Sequence, residues 1–237
     1  MQSIQATRFP TEKLLAILNG IALFPMLVKA APESIAPLMQ HSRLVLAEPG
    51  EFIMRRGEYD SSFYFLLKGE LLVSTQGDDN AAGKVVGYIQ AGEMFGALAI
   101  IRDAERSASV RVQDKSRAIL FGIDAAPFGE LDDFSNVILP VKILFLRWVV
   151  ECTDVRLRAY EKEFPNNDLS QELRDLPAFT GTRDSLDELR FLNERADDLA
   201  ELMLDWNMTL ENIEDYRPPH GAPASDLLSD LERLYFG

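Results

Sequence analysis

The sequence has little of the chemistry that secreted, membrane-spanning or metal-binding proteins need. Cys152 is the one cysteine in 237 residues, so an internal disulfide is excluded and a reducing compartment is expected. The two histidines, His41 and His220, lie far apart in sequence, which argues against a histidine-based metal centre. No apolar run reaches the roughly 18 residues that span a bilayer, and the polar start of the chain does not resemble a secretory signal. We expect a cytoplasmic protein that has neither a metal centre nor a membrane span.

Positive charge is also scarce, and its shortage is concentrated in one part of the chain. The sequence carries 24 Lys and Arg against 38 Asp and Glu, for a net charge of −14. Residues 1–150 are nearly balanced, with 15 basic against 17 acidic residues, whereas residues 151–237 have 9 against 21. Such an acidic surface repels nucleic-acid phosphates and anionic lipids. We therefore predict no binding to DNA or membranes, and a protein partner or a second copy of the chain for the C-terminal third.

From about residue 43 the sequence is typical of a β-sandwich or β-roll. Short runs of β-branched and aromatic residues alternate with glycine turns, at a spacing that favours antiparallel strands. The stretch 76–83 is polar and rich in glycine and aspartate, which predicts a hairpin tip. The predicted strands are Leu44–Leu46, Phe52–Met54, Phe63–Leu67, Leu71–Ser74, Val85–Ile89, Ser109–Val112 and Ala118–Ile123.

Helices are predicted on both sides of these strands. Residues 11–40 favour short helices interrupted at Pro25 and Pro32. A long helix is predicted from an N-cap at Ser135 to Phe164, with Pro140 tolerated near its start. Its apolar residues cover more than one face, which indicates burial against the β-roll and against either another subunit or the C-terminal tail.

A second long helix is predicted from Asp184 or Ser185 to about Tyr216. Its apolar residues repeat with heptad spacing, which is typical of helix–helix packing. This seam and the first long helix both suggest a homodimer, although they could equally pack against each other within one chain. A linker over 217–224 and a short amphipathic segment over 226–237 follow. The seam comprises Leu189, Leu192, Ala196, Leu199, Met203, Trp206, Leu210 and Ile213.

The stretch 92–110 has the pattern of a phosphate-binding cassette. A strand ends at a glycine, a one-turn helix begins around Gly96, and Arg106 precedes the next strand. Amide groups at a helix start attract anions, and an arginine adds a charge-assisted hydrogen bond. Taken alone, a glycine turn and an arginine are equally typical of an ordinary strand–turn–strand.

In its wider context, this stretch resembles the cyclic-nucleotide-binding domain family, which includes bacterial cyclic-AMP receptor regulators and kinase regulatory subunits. The resemblance covers roughly residues 20–135 and implies a jelly-roll-like β-roll, or double-stranded β-helix, with flanking helices. It implies a β-roll domain over 1–134, a connecting or dimerisation helix over 135–164 and an acidic helical tail over 165–237. The segments that carry it are Leu23-Phe24, 49–57, 63–71, 92–96 and 105–110.

The resemblance also implies a ligand site and shows one departure from the family pattern. In the family, amides of the short helix and the cassette arginine hold the cyclic phosphate, and a glutamate after the glycine accepts the ribose hydroxyl. This sequence has Ala97 there, a loss that costs a hydrogen bond to a charged group. The implied ligand-binding residues are Phe95, Gly96, Ala97, Leu98, Arg106, Ser107 and Ala108.

Three readings of this site follow. The pocket binds a cyclic nucleotide (cAMP or cGMP), binds another phosphorylated small molecule, or has lost its ligand. The first reading predicts a non-enzymatic sensor that signals through its helices to a protein partner. The last predicts an adaptor that binds proteins through its tail, and a transcription regulator is a third class. No enzyme motif and no cofactor are predicted. Cys152 is expected to fill the core, or to lie near the base of a bound ligand, and Trp148 and Trp206 to pack.

Overall fold

The computed structural model describes residues 1–75, 83–113 and 117–218, and these form two antiparallel sheets with helices on either side. Seven of the eight residues of the predicted hairpin tip, 76–82, lie outside these residues, and so does the whole segment 226–237. The first sheet has the strand order β1-β2-β9-β4-β7 and the second β3-β8-β5-β6. The strands are β1 Gln2–Gln5, β2 Ser42–Ala47, β3 Phe52–Met54, β4 Ser62–Lys68, β5 Glu70–Ser74, β6 Val85–Gln90, β7 Met94–Phe95, β8 Ser109–Val112 and β9 Ala118–Asp124.

The predicted β-roll is confirmed, and each of the seven predicted strands matches an observed one within two residues at either end. The two strands that the sequence pattern missed are β1 and β7. The first has the polar sequence Gln-Ser-Ile-Gln and pairs along the edge with β2, and the second is only two residues long. Neither is long and apolar enough to stand out from a loop.

The central strands of the first sheet are buried on both faces. Along β2, Leu44 and Leu46 face the helices, whereas Val45 and Ala47 face the interior of the β-roll. This double burial explains why the strands appear in the sequence as continuous apolar runs and not as alternating ones. Phe24 of the N-terminal region packs edge-on against Phe65 and Phe121, which fixes the helices to this sheet.

The N-terminal helices are α1 Thr11–Leu18, α2 Leu23–Ala30 and α3 Ile35–Gln40. The predicted interruption at Pro25 is wrong, because Pro25 lies in the first turn of α2, where its missing N–H has no helical partner to lose. Pro32 does separate two helices, since a short 3-10 turn begins there after α2 has ended.

The long helix α5 spans Leu139–Glu163, after the one-turn helix α4 at Ala97–Ile101. The prediction of Ser135 as its N-cap is wrong, and the N-cap is Ile138. The ring of Pro140 would clash with a helical carbonyl four residues earlier, so the helix cannot extend back to Ser135. Helix α5 contacts α2 and the two helices of the tail, and its Phe145 packs against Phe63 of β4 in the β-roll.

The tail contains two further helices, α6 Asp168–Asp175 and α7 Leu186–Asn212. The sequence pattern missed α6, which follows the Asn167 N-cap directly after the Phe164–Asn167 turn. The predicted start of α7 near Asp184 or Ser185 is confirmed: Ser185 is its N-cap and accepts a hydrogen bond from the Glu188 N–H. The helix ends at Asn212 and not near Tyr216. The three-part domain division remains a prediction.

The heptad seam of α7 packs within the same chain. Leu199 and Trp206 are fully buried, and Trp206 lies between Tyr160 of α5 and Phe164. Of the two arrangements that the sequence left open, the structure therefore shows the intramolecular one for this seam. Within the described residues, no helix combines the length and the hydrophobicity that crossing a bilayer requires.

Candidate functional site

A cavity of about 310 Å³ lies between the second sheet, the β7–α4 turn and the helices α5 and α7. This volume is at the lower end of the range of small-molecule sites. Met54, Ile89 and Phe95 give it apolar walls on the side of the β-roll, and Val149 and Met203 do so on the helical side. The helices that close the cavity come from sequence far from the strands that form its floor.

Gly96 makes the sharp turn from β7 into α4. Its φ of +87° lies in the left-handed region, which glycine adopts without the strain that a side chain would bring. A Cβ atom at this position would lie 3.0 Å from Met54 Cε and 3.1 Å from Arg106 Nη1. The glycine therefore lets the arginine approach the backbone of the turn closely.

The guanidinium of Arg106 is almost completely buried, with 2% of the residue exposed. It donates hydrogen bonds to the backbone carbonyls of Gly96, Asp60 and Ser62, and Nη2 lies 3.3 Å from the Asp60 carboxylate. One donor, Nε, is buried without a partner in the described residues. Arg106 thus ties the β7–α4 turn to the segment 60–62 and still has an unused N–H group.

The seven residues implied by the family resemblance all line this cavity. Phe95 is stacked on Tyr64 at 5.5 Å between ring centroids, so it also belongs to the core of the β-roll. Ser107 is exposed, and Ala97 is 3% exposed. Their role in ligand binding remains a prediction, which their common position supports.

Position 97 contributes no polar group to the cavity, and the nearest substitute is Glu93. Among the described residues, Glu93 is the one carboxylate in the cavity lining. It accepts a hydrogen bond of 2.7 Å from the Gln90 N–H and lies 3.8 Å from Arg156 Nη2 of α5. The carboxylate therefore closes the β6–β7 turn and is already engaged.

Sequence reasoning missed the contribution of the tail to this site. Asn207 and Tyr216 line the cavity although they lie about 100 residues beyond the cassette. No spacing signal could reveal this contact, because the heptad pattern indicates which residues pack but not which surface they cover. Cys152 also lines the cavity, and burial raises the pKa of its thiol to about 11, so the thiol is neutral at pH 7.

Helix α7 is attached to the walls of the cavity at two points. The Lys84 ammonium at the start of β6 donates to the carbonyls of Glu211, at 2.9 Å, and Ile213. Arg102 at the end of α4 lies 3.0 Å from the Asp197 carboxylate. The helix is thus connected to the cassette and to the sheet that forms the cavity floor.

Among the described residues, no group of three or more histidine, cysteine, aspartate or glutamate side chains is placed so that it could hold a metal ion. Besides Glu93, the polar side chains that line the cavity include two cations, on Arg106 and Arg156, and hydroxyl and amide groups such as those of Ser107, Tyr216 and Asn207. This set suits an anionic ligand with further hydrogen-bonding groups.

Comparison with known proteins identifies the β-roll. The sequence model of the cyclic nucleotide-binding domain matches residues 44–131. Human cGMP-dependent protein kinase 2 is 33% identical over 107 residues, which cover 44% of this chain and 14% of the kinase. The mouse potassium/sodium hyperpolarization-activated cyclic nucleotide-gated channel 2 is 23% identical over 134 residues, or 51% of this chain and 15% of the channel.

A solved structure, the regulatory domain of Toxoplasma gondii PKA with cAMP, is 20% identical and has a TM-score of 0.42. The match covers 50% of this chain and 43% of that one. The chain spans about one seventh of the length of the curated relatives that it matches. Residues 44–131 of this chain are a cyclic nucleotide-binding domain.

Proposed function

We propose that this chain is a non-enzymatic signalling protein that binds a cyclic nucleotide, cAMP or cGMP, in the cavity. The observation that carries this proposal is the buried Arg106, which lines a cavity of suitable volume within a domain of this family and has an Nε without a hydrogen-bond partner among the described residues. A protein partner or a second copy of the chain would receive the signal through α5 and α7.

The cassette offers a cyclic phosphate both charge and directed donors. The Arg106 guanidinium is a cation, and the Asp60 carboxylate is its one ion-pair partner among the described residues. A phosphate oxygen that accepts from Nε would satisfy a buried donor, and charge-assisted hydrogen bonds of this kind are the stronger ones. The exposed Ser107 hydroxyl adds a further donor.

The position of α7 supports the signalling part of the proposal. Met203 and Asn207 line the cavity, and the ion pair of Arg102 with Asp197 joins α7 to the cassette helix. A ligand that shifts α4 would therefore change contacts of α7. Occupancy alters an equilibrium only when the ligand binds one arrangement more tightly than the other, so we expect two arrangements of α7.

An adaptor without a ligand is the second candidate, and the hydrogen bonds of Arg106 favour it. Three carbonyls and one carboxylate already occupy most of its donors, and Ala97 lacks the carboxylate of the family pattern. In that case Arg106 holds the fold together, and the tail alone binds a partner.

Calorimetric titration of the full chain with cAMP and cGMP distinguishes the two candidates. The variant Arg106→Lys keeps the charge but removes Nε–H and the planar fork, with less disruption than alanine. We expect wild-type binding in the micromolar range or tighter and at least a tenfold loss in Arg106→Lys. The control Arg117→Lys, an exposed ion pair with Glu48, should bind as the wild type does.

Thermal melts of each variant must accompany the titrations, so that lost binding is not confused with lost folding. No wild-type binding at millimolar nucleotide would reject the sensor proposal for both ligands and favour the adaptor. A gel shift with duplex DNA tests the third class, a transcription regulator, and we expect no complex because the tail is acidic.

A further inference from the structure

The end of the cavity under α7 carries polar groups outside the family domain. Asn207 and Tyr216 both line the cavity, and they are 7% and 8% exposed. The Tyr216 hydroxyl is buried and has no hydrogen-bond partner in the described residues. Buried hydroxyls are nearly always hydrogen-bonded in native proteins, so this one points to a ligand or water acceptor.

An aromatic cluster holds these groups in position. The ring of Tyr216 lies 6.2 Å from Phe164, and Phe164 lies 5.6 Å from the fully buried Trp206, which precedes Asn207. Burial raises the pKa of Tyr216, with a smaller contribution from neighbouring Tyr160, so the hydroxyl remains a donor at neutral pH. The side chains are therefore preorganised, which reduces the entropy that binding would cost.

This polar end lies well away from the cassette. Gly87 of β6 pairs with Val73 of β5, which pairs with Val110 of β8, so two strand spacings, about 10 Å, separate β6 from β8. The β6 side of the cavity is marked by Tyr160, whose hydroxyl is 3.9 Å from where a Cβ atom of Gly87 would be. The β8 side is marked by Arg106, which lies three residues before that strand begins. The floor between the two ends is apolar, with Val73, Ile89 and Val110 in the lining.

This arrangement has an anion-binding end, an apolar middle and a hydrogen-bonding end, which suits the phosphate of a nucleotide, the flat faces of its base and the polar edge of that base. We propose that Asn207 and Tyr216 form a subsite for the edge of the heterocyclic base, so that α7 determines which cyclic nucleotide binds. This inference rests on the proposed function. A carboxamide donates and accepts at once and pairs with N6 and N7 of adenine, whereas guanine presents two acceptors on that edge. The subsite therefore favours cAMP over cGMP.

The test is calorimetric titration of the full chain and its variants with cAMP, cGMP and the cyclic phosphate of unsubstituted purine riboside. Asn207→Leu keeps the volume and removes the hydrogen bonds, and Tyr216→Phe removes only the hydroxyl. Loss of one hydrogen bond weakens binding by about 2- to 12-fold, so Tyr216→Phe should weaken cAMP binding by that factor and Asn207→Leu, which removes two, by more. The 6-unsubstituted analogue lacks the amino group but keeps N7, so Asn207→Leu should weaken its binding less than it weakens the binding of cAMP. Met208→Leu, at a 53% exposed position on α7, is the control.

The outcomes separate this inference from the proposed function. Wild-type binding of cAMP that neither variant weakens would overturn the subsite while the sensor proposal stands. Equal weakening of all three ligands would also overturn it, because that result indicates a general shift of α7. Tighter wild-type binding of cGMP than cAMP would overturn the assignment to adenine. No wild-type binding of any of the three would reject the sensor proposal and, with it, the subsite.

Discussion

At the scale of single residues, the site combines an arginine whose donors are mostly engaged with an alanine, beside the turn that this arginine contacts, that adds no polar group. Arg106 donates to three backbone carbonyls, so the proposed anion site is already ordered without a ligand. Preorganised charge of this kind binds an anion without the cost of reorganising the protein. Ala97, by contrast, leaves part of the cavity wall without a polar group.

The variant Ala97→Glu tests what that position lacks. Ala97 lines the cavity, so a glutamate there places a carboxylate within the pocket, where the family pattern uses it to accept the ribose hydroxyl. A hydrogen bond to a charged group contributes about 1.5–3 kcal/mol, so cAMP affinity should rise roughly ten- to a hundredfold. Calorimetry with cAMP and 2′-deoxy-cAMP measures this: the deoxy ligand should match cAMP in the wild type and bind more weakly than cAMP in the variant.

The control for this change is Ala97→Gln, which has the same size without the charge and should gain less. Because the carboxylate is buried when no ligand is bound, the glutamate variant should also melt at a lower temperature. If cAMP affinity is unchanged and the deoxy ligand binds equally well to the variant, the ribose does not lie at position 97.

At the scale of elements, α7 is held near its N-terminus by a cap and by ion pairs, of which the one between Arg147 and Glu188 is the most buried. The Arg147 guanidinium donates to both oxygens of Glu188, at 2.8 and 2.6 Å, and the Asp184 N–H donates to the same carboxylate. Ser185 and Glu188 have the spacing of a capping box, which the sequence shows directly. The partner Arg147, on α5, could not be predicted, because it depends on how the two helices are placed.

We predict that Glu188→Gln destabilises the fold by about 1–3 kcal/mol at pH 7, since it loses a two-pronged, charged contact whose carboxylate is 6% exposed. Urea unfolding measures this free energy. Burial raises the pKa of Glu188, but the hydrogen bonds of Arg147 and Asp184 and the charge of Arg147 outweigh it, and the net pKa lies below the ordinary 4.5. A carboxylate with a lowered folded pKa stabilises the fold above its unfolded pKa and loses this effect as the pH falls through the folded value.

The stability difference between Glu188→Gln and wild type should therefore be constant above about pH 5 and shrink in more acidic solution. The exposed pair of Asp132 with Arg190 provides the control, because Asp132→Asn should change stability by less than about 1 kcal/mol. A difference that stays constant down to pH 3 would show that the Glu188 charge does not stabilise the helix contact.

The sequence predictions were mostly accurate for features that depend on residues close together in the chain, and failed for features that depend on contacts between distant segments. The strands were predictable because their apolar character is local. The turn at Gly96 and its arginine could be placed together because Gly96 and Arg106 lie ten residues apart in one motif. The start of α5 was misplaced because the effect of Pro140 acts on the turn before it. Asn207 and Tyr216 were missed because their place in the cavity depends on the packing of α7 over the sheet.

At the scale of the whole molecule, the intramolecular seam changes what the heptad pattern means. Leu199, Trp206 and Leu210 have no exposed surface, because α5, α6 and the β6 region cover them in the same chain. The seam therefore gives no support to the predicted homodimer, which stays a prediction for other surfaces. The acidic outer face of α7 remains available to a partner, whereas its apolar face is part of the fold.

The variant Leu199→Asp distinguishes a core contact from a subunit contact. A charge buried in this seam should destabilise the fold by at least about 4 kcal/mol and lower the melting temperature by about 10 °C. Because the contact lies within one chain, the shift should be the same at low and high protein concentration. Melts over a range of concentrations, with sedimentation of each sample, provide the measurement, and Met208→Asp at an exposed position of the same helix should melt like the wild type. A Leu199→Asp protein that melts normally but sediments as half the wild-type mass would instead place the seam between subunits, and α7 could then not close the cavity of its own chain.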